Sequence, residues 1–154
     1  MKITIENTTP GEGEWDGWRI IGDIISDEDL IIECPALMVE GDLLVKGTIN
    51  AAGSLRVDGN LYAGGTINAV GTISAGSGLY AARGIKVYGS IKVYGSIHAG
   101  GTIHASGTIH AGGAIHAARD INAWCGINAG GAIHAYGAIN ARAINAGGAI
   151  NSRV

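Results

Sequence analysis

From Ile25 to Ile139 every sixth residue is Ile or Leu, twenty positions in succession. The series then shortens by one residue, to Ile144, and recovers six later at Ile150. A six-residue period excludes an α-helix, whose apolar positions recur every three or four residues. From residue 37 to residue 141 the position two after each Ile or Leu of the series holds Ala or Val, as at Val39, Val45, Ala51, Val57 and Ala63. The position two before is usually Gly, as at Gly47, Gly53, Gly101, Gly107 and Gly131. The unit is therefore Gly-x-Ile-x-Ala-x. Alternate residues of a strand share a face, so this reading points Gly, Ile and Ala inward and leaves the sixth residue for a corner. Small, large, small is the profile that fits one side of a narrow prism.

A fixed short period means stacked, self-similar units. The expected fold is all-β: a single-stranded, three-sided parallel β-helix, or β-solenoid, with hexad sides and about 18 residues per rung. Residues 25–154 supply about seven rungs. Residues 1–24 read as a small N-terminal cap, "MKITIEN" as a strand and "TTPGEGEWDGW" as a turn whose Trp15 and Trp18 cover the first rung. The 27 glycines would mean disorder in a polar chain, but 47% of this one is hydrophobic and only 15% charged. Charge is divided along the sequence. Residues 1–42 hold eleven acids against Lys2 and Arg19, and the remainder holds eight bases against Asp58 and Asp120. The molecule is thus expected to be electrically polar along its axis.

Several function classes recede on these grounds. Cys34 and Cys125 form no Cys-x-x-Cys pair and no disulfide framework. The start lacks the basic-then-apolar build of a signal peptide, and the most apolar stretch, residues 20–45, is broken by acids throughout. The expectation is a cytoplasmic or phage-borne protein with no membrane span and no cofactor. Arg56, Lys86 and Lys92 make no dense basic patch, so nucleic acid is not an expected partner. Thr48, Thr66, Thr72, Thr102 and Thr108 divide between two faces, which argues against the flat array of an ice-binding protein. Hexad acyltransferases favour Ser, Thr, Ala or Val where this chain has Gly, and each of the five histidines is a repeat position, so no enzyme is expected.

Four of those histidines stand six apart in "SIHAGGTIHASGTIHAGGAIHA", residues 96–117. On three-sided rungs, successive hexads face different ways and residues 18 apart stack. His98, His116 and His134 then continue a column begun by Tyr62 and Tyr80, a candidate binding face. His104 stands with Asn50, Asn68, Lys86, Asn122 and Asn140, and His110 with Arg56, Ser74, Lys92 and Asn128. His98, His116 and His134 are weak metal candidates, because parallel imidazoles about 4.8 Å apart do not converge on one ion. Such neighbours resist simultaneous protonation, which lowers their pKa values. At the corners, Val70, Tyr88, Ser106 and Trp124 align as an apolar edge, with Tyr88 and Trp124 as candidates for lateral association. Ile144, Ile150 and Val154 make a bare final rung suited to stacking on another copy. Arg83 and Arg119 occupy the inward Gly position and call for local bulges that turn them out.

The units "GTINA", "GSIHA", "GTIHA" and "GAIHA", with "VEGDLLVKG" at 39–47, resemble the repeats of bactofilins, the polymer-forming cytoskeletal family. Similar Gly-Asp-Ile/Leu patterns occur in a flagellar-assembly family. The resemblance covers roughly residues 30–151. It implies a right-handed, three-sided β-helix that polymerises end to end without nucleotide. The expected function is a non-enzymatic structural scaffold whose partner is itself. The alternative is a β-helical binding module, of phage or surface-fibre type, that recognises a partner through an outer face.

Overall fold

A computed structural model describes the backbone of residues 2–3 and 9–10 and the whole of residues 17–153. Val154 and Trp15, named above at the two ends of the chain, lie outside the described residues. The described chain contains strands and corners and no helix. Three sheets of eight, eight and nine strands run the length of a coil of about eight turns. Sheet I begins with Lys2–Ile3, Leu30–Ile32 and Ile49–Ala51 and ends with Ile139–Asn140. Sheet II runs from Thr9–Pro10 and Trp18–Ile20 to Ala143–Ala146, and sheet III from Ile24–Ser26 to Ile150–Ser152. Every pairing is parallel except that of Thr9–Pro10 with Trp18–Ile20. Through the middle of the coil partners are 18 residues apart, as in Leu61↔Leu79, Ile85↔Ile103 and Ile109↔Ile127.

Most strands are three residues long, in the order buried, outward, buried. The first buried residue is Ile or Leu and the third Ala or Val, so the prism interior is three columns of stacked aliphatic side chains. Leu37, Ile49, Ile67, Ile103 and Ile121 are fully enclosed. Buried on all sides, they contribute roughly 1.5–3 kcal/mol each relative to exposure.

The register differs from the expected one in the first turn. Ile25 and Ile31 point outward, 71% and 45% exposed, while Ile24 and Leu30 take the inward positions. Pairing in this turn spans 19 residues, as in Trp18↔Leu37, Ile24↔Leu43 and Leu30↔Ile49. The extra residue is absorbed at the corner after Leu30–Ile32, where Cys34 is fully buried ahead of Pro35. Paired aliphatics such as Ile24-Ile25 and Leu30-Ile31 satisfy a six-residue count in either phase, and a slip of one residue exchanges the faces. Regular coiling therefore reaches back to Trp18, whose strand is already part of sheet II, and the coil has about eight turns in place of seven. The shortened side near the other end is present as read, with Ile127 opposite Ile144 and Ile133 opposite Ile150.

The glycines also have a different reason from the expected one. They sit in the corners, ahead of the strands, and only Gly22 among the described residues has a left-handed φ, 96°. Close approach to the previous turn is what selects most of them. A Cβ on Gly41, Gly59, Gly71 or Gly107 would fall on the side-chain oxygen of Asp23, Asp42, Ser54 or Ser90. Those same oxygens accept the N–H of the residue following each glycine: Asp42, Asn60, Thr72 and Thr108, at 2.6–3.1 Å. Asp29, Ser96 and Asp120 act in the same way on Thr48, Ala114 and Ala138. A polar residue on one turn satisfies a corner N–H of the next, and glycine leaves the room for it.

Arg83, Arg119 and Cys125 take the glycine position and are exposed. No strand bulge accompanies them, since the flanking strands keep their 18-residue register. What yields is the corner: their N–H contacts to the previous turn are 3.2–3.4 Å, against 2.8–3.1 Å at most equivalent glycines.

Candidate functional site

The four histidines of residues 96–117 divide among three faces. His104 lies in sheet I between Lys86 and Asn122, and His110 in sheet II between Lys92 and Asn128. His98 and His116 lie in sheet III, directly opposite one another. There the strands Leu61–Ala63, Leu79–Ala81, Ile97–Ala99, Ile115–Ala117 and Ile133–Ala135 each turn their middle residue outward. These are Tyr62, Tyr80, His98, His116 and His134, and register alone stacks them.

Ring planes follow that register closely at first. Tyr62 and Tyr80 are 4.9 Å apart and parallel to 1°, Tyr80 and His98 are at 5.3 Å, and His98 and His116 at 4.7 Å. His134 departs, tilted by 40° at 6.0 Å from His116. Its Nδ1 pairs with the amide nitrogen of Asn151 at 3.1 Å, and the edge of Tyr136 stands against His116. With ring faces turned to one another, only a row of hydroxyl and imidazole edges meets solvent. Parallel rings also aim their lone pairs side by side, whereas a zinc ion needs them to converge at 2.0–2.1 Å. Among the described residues no group of three His, Cys, Asp or Glu is placed to hold a metal.

The His116 imidazole is held below the ordinary value of 6.5, by burial first and then by repulsion from His98 and His134. A group that resists protonation when folded makes the unfolded chain the better proton acceptor, so stability falls as pH drops from about 6.5. Thermal midpoints taken at pH 7.5 and 5.5 should therefore differ, and His116→Asn should shrink the difference. An unchanged difference in that variant would remove the column from the explanation.

Sheet I carries a second arrangement, built from two columns legible in the sequence with a relief between them that was not. Its outward residues Asn50, Asn68, Lys86, His104, Asn122 and Asn140 are flanked by the corner residues Val70, Tyr88, Ser106, Trp124 and Arg142. Between the two rows lie two grooves in line, about 390 and 420 Å³, with alanines along their floors. Asn68 donates to Asn50, and Asn140 to Asn122, both at 2.9 Å. Tyr88 is 60% and Trp124 70% exposed, and each has a cation against its ring: Lys86 Nζ at 5.2 Å and Arg142 Cζ at 6.0 Å. The corner column was legible at a spacing of 18. Its concavity was not, because that depends on how far each side chain stands from the sheet.

At the last turn Ile139–Asn140, Ala143–Ala146 and Ile150–Ser152 are each the terminal strand of their sheet. Ile144 packs against the core while partly exposed, and Ile150 is 48% exposed. No helix among the described residues is long and apolar enough to cross a membrane. No family model, curated protein or solved structure matches the chain. Three parallel sheets and about 18 residues per turn make it a parallel β-solenoid.

Proposed function

We propose that the chain is a non-catalytic structural scaffold that associates with further copies of itself through the ends of its coil, in the manner implied by its bactofilin-like repeats. The observation that carries this reading is the last turn. Among the described residues, Ile139–Asn140, Ala143–Ala146 and Ile150–Ser152 are the terminal strands of the three sheets, around the partly exposed Ile139, Ile144 and Ile150. Edges of this kind are templates for further pairing. A solenoid end of three edges would dock as one unit, because each turn contacts only its neighbours. The acid-rich first turns and the basic remainder give the coil opposite charge at its two ends, which favours polar, head-to-tail association.

Light scattering across concentration, with negative-stain microscopy of the same samples, tests the proposal. Mass should grow with concentration, and Ile150→Asp should hold the chain at monomer size with its β-sheet spectrum intact. A wild-type monomer at every concentration would overturn the scaffold reading. In that event the outer faces become the functional surface, and the chain is a binding module.

A further inference from the structure

We infer that the sheet I groove is a binding site for an extended oligosaccharide carrying carboxylate groups. The inference goes beyond the scaffold reading and uses a different part of the surface. Of the two cations, Arg142 lies on the corner wall beside Trp124 and Lys86 on the facing sheet wall, while the two aromatics, Tyr88 and Trp124, stand on the same corner wall. The aromatics are 36 residues apart, which is two turns, or about 10 Å along the axis. Facing Trp124 and Arg142 is the hydrogen-bonded couple Asn122–Asn140, and a second couple, Asn50–Asn68, lies in the same column as Lys86 in the two turns before it. The floor between is alanine. The molecule thus places an aromatic, a cation and an Asn couple in each of two grooves in line, grouped most closely at Trp124.

Each component matches one part of an acidic sugar. An exposed indole or phenol offers an apolar ring face for sugar C–H groups. Each carboxamide has two N–H donors and a carbonyl with two lone pairs, so an Asn–Asn bond leaves both partners with capacity for ligand hydroxyls. A guanidinium at the rim suits a carboxylate, to which it can donate two parallel hydrogen bonds. No acid lines the groove beside Trp124, and in the other groove Glu33 is the one acid. Each groove also falls within the roughly 300–1,000 Å³ typical of small-ligand sites. A nucleic acid fits less well: the two cations, Lys86 and Arg142, are about three turns apart, which leaves most phosphates unneutralised, and phosphate contacts dominate such binding.

The sheet III column does not compete for this role. Its rings from Tyr62 to His116 are stacked on one another, so the faces between them are occupied and the column offers mainly polar edges.

Isothermal titration with oligogalacturonate and with alginate oligomers tests the site, with cello-oligosaccharide as a neutral comparison. At least one acidic oligomer should bind with saturation. Trp124→Ala should weaken it by about tenfold, the loss of one well-placed ring contact. Arg142→Gln should weaken the acidic ligand while leaving any neutral binding unchanged. Lys92→Gln removes a like charge from sheet II, away from the groove, and should change nothing. No binding by either acidic oligomer at millimolar concentration would overturn the proposal. Equal losses from Lys92→Gln and Arg142→Gln would do so as well, since they would mean diffuse charge attraction. A Trp124→Ala protein with unchanged sugar binding but altered association state would reassign the aromatic wall to contact between copies. None of these outcomes depends on whether the coil ends polymerise.

Discussion

Ile103→Ala should lower the unfolding free energy by about 3 kcal/mol, while Ile150→Ala at the end of the same coil should cost less than about 1 kcal/mol. Ile103 is fully buried between Ile85 and Ile121 in the sheet I column. Truncation there removes contacts to the turns on both sides and leaves a cavity that stiff, hydrogen-bonded rungs cannot collapse to fill. Among the described residues Ile150 is paired with Ile133 alone, and it is 48% exposed. In a solenoid the stability is close to a sum of turn energies and nearest-neighbour interface energies, so a central loss weakens two interfaces and a terminal loss weakens one. Urea midpoints of the two variants at matched, low protein concentration measure the contrast. Equal costs would show that the aliphatic column is not the element that couples the turns.

Much of this architecture was legible because each turn repeats the same physical problem. The Ile/Leu positions from Leu37 onward, the short side before Ile144 and the Tyr62-to-His134 column follow from a period of six closed three times per turn. The first turn was not legible. Ile24-Ile25 and Leu30-Ile31 offer two equivalent phases, and the choice is made by the way Cys34 and Pro35 pack in a corner that holds one residue more. Alternation in a strand was extended one step too far when Gly was taken as an inward residue. The strand begins at the aliphatic, and the glycine belongs to the corner before it. The sequence did hold a signal for the side-chain acceptors, since Asp, Ser, Asn or Thr precedes many of the aliphatics. Its meaning requires knowing that the N–H one turn away lacks another partner. The sheet I groove lay beyond the sequence for a similar reason: it is made by side chains of unlike length on adjacent columns, and periodicity fixes columns without fixing relief.

The glycine account makes its strongest demand at Gly53. This residue is buried, and a Cβ there would fall on the carbonyl of Pro35, with the Pro35 Cα at 2.8 Å. The obstacle is backbone, held by a proline ring in the corner that carries the extra residue, so no side chain can swing aside. The same carbonyl accepts the Ser54 N–H at 2.9 Å, and moving it breaks that bond. Gly53→Val should therefore cost about 3 kcal/mol, combining overpacking with an unsatisfied backbone donor. Gly78 supplies the contrast. A Cβ there would meet nothing nearer than the Asn60 side-chain oxygen at 3.4 Å, and its φ is not left-handed. Gly78→Ala should be neutral or stabilise by about 0.5 kcal/mol, by reducing the freedom of the unfolded chain. Chemical denaturation of the two variants separates two explanations of why this chain is so rich in glycine. If the corners need conformational freedom, the two substitutions should cost about the same. If they need space against the turn before, only Gly53→Val should be costly.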